Sequence, residues 1–100
     1  MIYTLLFPTR RHEKRFEKAL RKIPHKNIRE KILAGVESLA NHPRPEGKQF
    51  KILTPPVRVG MVTAQYRLRI GDYRVLYDVD DGKNVVWVYE LRKRSERTYE

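Results

Sequence analysis

The sequence predicts an α+β domain of order β-α-α-β-β-β, an N-terminal strand and a helical hairpin packed on an antiparallel sheet. Three observations carry this. Apolar residues recur at helical spacing in two consecutive segments, and from Val62 onward they alternate at strand spacing. The run at residues 66–79, YRLRIGDYRVLYDV, holds two strand-like halves around Gly71-Asp72, the mark of a tight hairpin.

Taken in order, residues 2–7 are apolar on both parities, as in a strand covered on both faces or lying beside a helix. Pro8 ends that strand and Thr9 is placed to cap a helix. Phe16, Ala19, Leu20 and Ile23 then form one helical stripe. The other faces of this helix are basic, with Arg11, Lys14, Arg15, Lys18, Arg21 and Lys22. Pro24 stops this helix or opens the next. A second helix carries Ile28, Ile32, Val36, Leu39 and Ala40 on one face, with Leu33 beside it, and ends at Asn41-His42-Pro43. Residues 43–56 hold four prolines and Gly47 and read as a loop or irregular crossing, before a short strand at residues 57–59.

A two-residue loop at Gly71-Asp72 places Ile70 opposite Tyr73, Arg69 opposite Arg74, Leu68 opposite Val75 and Arg67 opposite Leu76. Leu68, Ile70, Tyr73, Val75 and Tyr77 then share one face, which suits the helical stripes, and Arg67, Arg69 and Arg74 share the other. Asp80-Asp81-Gly82 marks a second turn. A last strand at residues 85–91 is apolar on both parities, so its faces stay unassigned. A basic tail follows, with Arg92, Lys93, Arg94, Arg97 and Tyr99.

One hundred residues make one domain, spanning 1–100. The absence of cysteine excludes a disulfide framework and a thiolate metal site. No run approaches the roughly 20 apolar residues of a membrane helix, and the N-terminus lacks a signal peptide's basic start, so a cytoplasmic protein without membrane contact is expected. Twenty-two Lys and Arg against twelve Asp and Glu leave a net charge of +10, which points to a polyanionic partner.

Like charges directly opposite one another destabilise a sheet. Arg67, Arg69 and Arg74 are therefore either screened by solvent or normally covered by something anionic. Arginine holds phosphate in bidentate fashion, and a neighbouring aromatic gives a base something to stack on. Arg92, Arg94, Arg97 and Tyr99 join this face if the last strand returns alongside. Such a set binds RNA and can stabilise the transition state of phosphodiester cleavage by charge; the bland alternative is a solvated basic face. His12, His25 and His42 have no metal-ligand spacing and read as surface or capping residues. Asp78, Asp80 and Asp81 flank a turn, where Asp serves local hydrogen bonds, so no metal is expected. No phosphate-binding glycine loop, nucleophile elbow or cysteine nucleophile is present. Trp87, Tyr66, Tyr73, Tyr77 and Tyr89 lie at strand period within apolar runs and read as core.

Strand, basic helical hairpin, the YRLRIGDYRVLYDV meander and the RKRSERTY tail together resemble the RelE/ParE toxin superfamily over nearly the whole chain. The resemblance implies the toxin of a type II toxin–antitoxin pair, with a cognate antitoxin wrapping the basic face and no cofactor. In its RelE branch it implies a ribosome-dependent endoribonuclease that cuts mRNA in the ribosomal A site. By position, Arg67 and Arg69 then bind the phosphate and help activate the attacking 2'-hydroxyl. Arg74 stabilises charge on the scissile phosphate, Arg94 assists the leaving 5'-oxygen, and Tyr99 stacks on or orients the nucleotide. Arg92, Lys93 and Arg97 add RNA contacts. Two departures stand out. Both members of the first basic pair are arginines, which are poor general bases, and the loose spacing from Arg94 to Tyr99 leaves Lys93 or Arg97 as the alternative aligned base. The segment at residues 43–64 is also longer than expected before the meander. The ParE branch implies a non-enzymatic inhibitor of gyrase on the same fold, and a catalytically dead member kept for antitoxin binding is a third reading.

Overall fold

The computed structural model describes residues 2–94, and a tail containing Arg97 and Tyr99 lies outside the described residues. The elements are β1 (Thr4–Leu6), α1 (Arg10–Arg21), α2 (Lys26–Ser38), β2 (Phe50–Val59), β3 (Val62–Ile70), β4 (Tyr73–Asp80) and β5 (Val85–Lys93). The strands form one sheet in the order β1-β5-β4-β3-β2, antiparallel throughout except that β1 runs parallel to β5.

α1 begins where expected: the Thr9 side chain accepts the His12 backbone N–H, a cap that satisfies one of the helix's orphan donors. Glu13 in the first turn and Lys18 and Arg21 in the last complement the helix dipole. α2 has no side-chain cap at His25; the Arg29 guanidinium instead donates to the Ile23 carbonyl and ties the two helices at their connection. Phe16, Ile23, Ile32, Val36 and Leu39 are buried against Leu68, Val75, Tyr77, Val86, Val88 and Leu91. α2 approaches β3 closely at Gly35, where an added Cβ would come within 2.7 Å of Ile70 Cδ1.

The β3–β4 register is the one the Gly71-Asp72 loop dictates, with Ile70 opposite Tyr73, Arg69 opposite Arg74 and Arg67 opposite Leu76. Gly71 takes φ 59, the positive value that a primed hairpin turn needs at its first position. Tyr77 is fully buried, and its hydroxyl donates to the Pro43 carbonyl at 2.7 Å; burial drives its pKa upward.

Two features differ from the sequence reading. The proline-rich stretch is not a loop up to residue 56: β2 pairs with β3 over both Phe50–Ile52 and Val57–Val59. Its register breaks between Ile52 and Val57, around a cis Thr54–Pro55 bond. β2 is the sheet's outer strand, where a proline's missing N–H interrupts no ladder. The second difference concerns β5. Leu76 pairs with Glu90 but Tyr77 pairs with Val88, so Tyr89 is an inserted residue. That insertion turns Leu91 back toward the helices, and both faces of β5 are covered. Val86 and Val88 face the helical core, while Tyr89 packs in a second cluster with Leu53, Val59, Ala64 and Leu76.

This second cluster lies on the sheet face away from the helices. The outer end of the β2–β3 hairpin, beyond the β4 pairing that starts at Tyr66, folds over that face. Its tip meets α1: His12, 9 % exposed, places Nε2 3.4 Å from the Val59 carbonyl and its ring 6.3 Å from that of Tyr89. The hairpin roofs one end of the face and leaves the other end, nearer Gly71, to the arginines.

Candidate nucleic-acid interface

Register brings the arginines together. Arg69 on β3 is opposite Arg74 on β4, and Arg74 is opposite Arg92 on β5. Neighbouring strands lie about 4.8 Å apart, so these three residues make a row about 10 Å across. One step along the strands a second row runs Lys51, Arg67, Leu76, Glu90. Side chains two residues apart share a face, so both rows open away from the helices.

The arginines of this face are not freely solvated side chains. Arg67, Arg69, Arg74 and Arg92 are all partly buried, Arg92 to 14 % side-chain exposure. Burial depresses the pKa of Arg67, and the nearby charges of Arg69 and Arg94 push it the same way. Its Nε is buried without a hydrogen-bond partner among the described residues. A buried donor left unmade costs about 1–3 kcal/mol, and each like-charged cross-strand pair about 0.2–1 kcal/mol. A phosphate oxygen supplies both the missing acceptor and the missing charge.

Of the residues singled out from sequence, Arg67, Arg69, Arg74 and Arg92 stand on this face. Arg94 follows just beyond β5, its backbone N–H donating to the Asp72 carbonyl, and its charge reaches Arg67. Lys93 pairs with Tyr73 and alternates to the helix side, where it lines a groove of about 690 Å³ between α1 and β5 with Arg15, Lys18 and Lys22. Arg97 and Tyr99 lie outside the described residues. Lys51 and Glu90 were not legible as members of this face. Lys51 fell in the presumed loop, and Glu90 lies on a strand whose two faces are both apolar. The carboxylate of Glu90 accepts from Arg92 Nε and stands 4.0 Å from Arg15 Nη2 on α1.

The row makes a direct prediction. Screening by salt weakens like-charge repulsion, so the melting temperature of the free protein rises from low to moderate ionic strength. Arg69→Gln is expected to add about 0.5 kcal/mol at low salt and to flatten that dependence; a variant with unchanged salt dependence would show that the row carries no net strain.

At the opposite end of β4 a polar clasp joins four segments. Arg44 Nη2 lies 2.9 Å from Asp81 Oδ2 and its Nη1 3.2 Å from Oδ1, while its Nε donates to the Tyr66 hydroxyl at 3.0 Å. The Tyr3 hydroxyl donates to Asp81 Oδ1 at 2.7 Å. Hydrogen bonds from Arg44 and then Tyr3 hold Asp81 below the usual carboxylate range. The folded chain therefore releases this proton more readily than the unfolded one. The resulting stabilisation is present above the unfolded value of about 3.9 and is lost as pH falls through the lower folded value. The melting-temperature gap between wild type and Asp81→Asn is expected to close below about pH 4. A gap that stays constant to lower pH would mean the clasp does not hold the carboxylate.

Comparison with known proteins agrees with this fold. The family described as ParE toxin of type II toxin–antitoxin system, parDE, matches residues 11–98. No curated protein sequence matches. Among solved structures, the chain is similar to the archaeal RelE–RelB complex from Pyrococcus horikoshii OT3, at 26% identity and TM-score 0.69 over 96% of this chain and 99% of that one. It is also similar to a free-state mutant of E. coli toxin RelE, at 29% identity and TM-score 0.56 over 95% and 86% of the two chains. A toxin–antitoxin complex from Mycobacterium tuberculosis shares the fold at 24% identity and TM-score 0.61, over 94% of this chain and 100% of that one. A match across most of its length, on a sheet whose register gathers the arginines, establishes that the chain belongs to the ParE toxin family within the RelE/ParE superfamily.

Proposed function

We propose that this protein is a ribosome-dependent endoribonuclease that cuts mRNA in the ribosomal A site and arrests translation. The observation that carries the reading is the half-buried arginine row beside Arg67, whose buried Nε awaits an acceptor. Phosphate suits such a site better than a carboxylate side chain does, because one anion with several oxygens can accept from more than one arginine of the row. Arg67 and Arg69 hold the scissile phosphate and orient the 2'-hydroxyl beside it. Arg74, at the centre of the row, neutralises charge that builds on the phosphoryl oxygens as phosphorus becomes five-coordinate. Arg94 assists departure of the 5'-oxygen and Tyr99 stacks on the nucleotide. Arg92 and Arg97 hold flanking phosphates, and Lys93 meets the strand where it passes around the edge of β5. Partners are the ribosome, its mRNA and a cognate antitoxin, as in the RelE–RelB complex that the fold resembles; an acidic antitoxin segment across the row would relieve its repulsion. The site of action is the cytoplasm, where the ribosomes are. No helix among the described residues is long and apolar enough to cross a membrane.

The second reading is a gyrase inhibitor that works by protein contact. The matched family is that of ParE toxins, and a face of arginines is short of proton acceptors. Purified protein added in parallel to a gyrase supercoiling reaction and to ribosomes translating a defined message separates the two. Arrested translation with normal supercoiling is expected. Blocked supercoiling with intact message would replace the endonuclease by the gyrase reading.

A further inference from the structure

We propose that Glu90 is the proton acceptor for the 2'-hydroxyl in the cleavage step; this rests on the endonuclease reading above. Transesterification needs a group to take the nucleophile's proton, and guanidinium groups have no acceptor to offer, whereas an ionised carboxylate only accepts. Glu90 brings one into the basic face. It stands opposite Leu76, whose other neighbour is Arg67, so Arg67 and Glu90 lie about 10 Å apart across β4. Two residues along β5 is Arg92, the end of the arginine row, and Arg92 Nε donates to Glu90 Oε2. With the scissile phosphate on Arg67 and a flanking phosphate on Arg92, the ribose between them would lie beside the carboxylate.

The surroundings fix Glu90 in place. Its side chain is 16 % exposed, at the seam where the groove along α1 meets the arginine face. Arg15 reaches it from α1, and Lys18 and Lys22 line the same groove. From the sheet, Arg74 and Tyr73 on β4 and Lys93 on β5 complete the charged and titratable neighbours. The other carboxylates of this face are poorer placed. Asp78 is four residues from Arg74 along β4, about 13 Å away, opposite Trp87, and burial raises its pKa. Asp72 flanks the row from the turn but is exposed to water.

In the step proposed, the 2'-oxygen bonds to phosphorus as its proton passes to Glu90, and the bond from phosphorus to the 5'-oxygen breaks. The 5'-oxygen takes a proton from water, and Glu90 gives its own to the hydroxide left behind. The products are a 2',3'-cyclic phosphate and a 5'-hydroxyl, with no net proton consumed.

The test compares wild type, Glu90→Gln, Glu90→Asp and Asp72→Asn in single-turnover cleavage of a defined mRNA on ribosomes stalled at a known codon. Glutamine keeps the shape and an oxygen for Arg92. Its cleavage is expected to fall by about 100-fold or more. Glu90→Asp should keep partial activity, and Asp72→Asn should cleave like wild type. Binding to stalled ribosomes carrying a 2'-deoxy nucleotide at the cut should be unchanged in Glu90→Gln, which separates proton transfer from mere positioning of Arg92. Cleavage by Glu90→Gln within about threefold of wild type, or a loss matched by weaker binding, would overturn the assignment. Should the glutamine variant not fold, a folded Glu90→Asp that cleaves as fast as wild type overturns it equally. A wild type that does not cleave at all defeats the endonuclease reading itself.

Discussion

Arg74→Ala is expected to abolish toxicity while leaving the protein folded. Arg74 has an arginine opposite it on each side, Arg69 on β3 and Arg92 on β5, so its removal relieves two like-charged contacts. The melting temperature should therefore stay within about 4 °C of wild type, or rise at low salt. Function should not survive. The central guanidinium of the row is the one positioned to meet charge on a phosphate held by its neighbours, and losing such a preorganised donor costs about 100- to 1,000-fold in rate. Growth arrest on induction, together with a thermal melt of the purified variant, checks both halves. A folded variant that is still fully toxic would remove the arginine row from the mechanism.

The second large effect is structural. Leu76 is fully buried on the sheet face away from the helices, where it packs with Leu53, Val59, Ala64 and Tyr89. It also separates Arg67 from Glu90 in their row. Leu76→Ala is expected to destabilise the fold by about 3 kcal/mol, from lost burial and an unfilled cavity beneath the folded-over hairpin. Urea unfolding measures this. A loss below about 1 kcal/mol would mean that the β2–β3 hairpin does not seal that face.

Much of this architecture is legible without coordinates, for identifiable reasons. The Gly71-Asp72 loop fixes the β3–β4 register and thereby the Arg69–Arg74 pairing, because a two-residue hairpin leaves no freedom of alignment. The stripe from Phe16 to Ile23 and the Thr9 cap define α1 by local rules alone. What escaped depends on long-range contacts. Prolines argued against a strand at residues 50–56, yet an edge strand with a register break accommodates them. The inserted Tyr89 switches the parity of β5 midway, and no local pattern reveals which side of the break each residue faces. That switch is what hid Glu90. The Arg44, Asp81, Tyr3 and Tyr66 clasp joins residues as far apart as Tyr3 and Asp81, beyond the reach of any periodicity.

The most direct measurement is primer extension on a defined mRNA incubated with the purified protein, with and without ribosomes stalled at a known codon. Cuts within the A-site codon, present only with ribosomes, are the predicted result: the arginine face supplies charge, and the ribosome aligns the message against it. Cuts without ribosomes would mean a free ribonuclease with another substrate geometry. An intact message, under a folded and toxic protein, would contradict the account and leave the arginine face as a surface for binding a protein target.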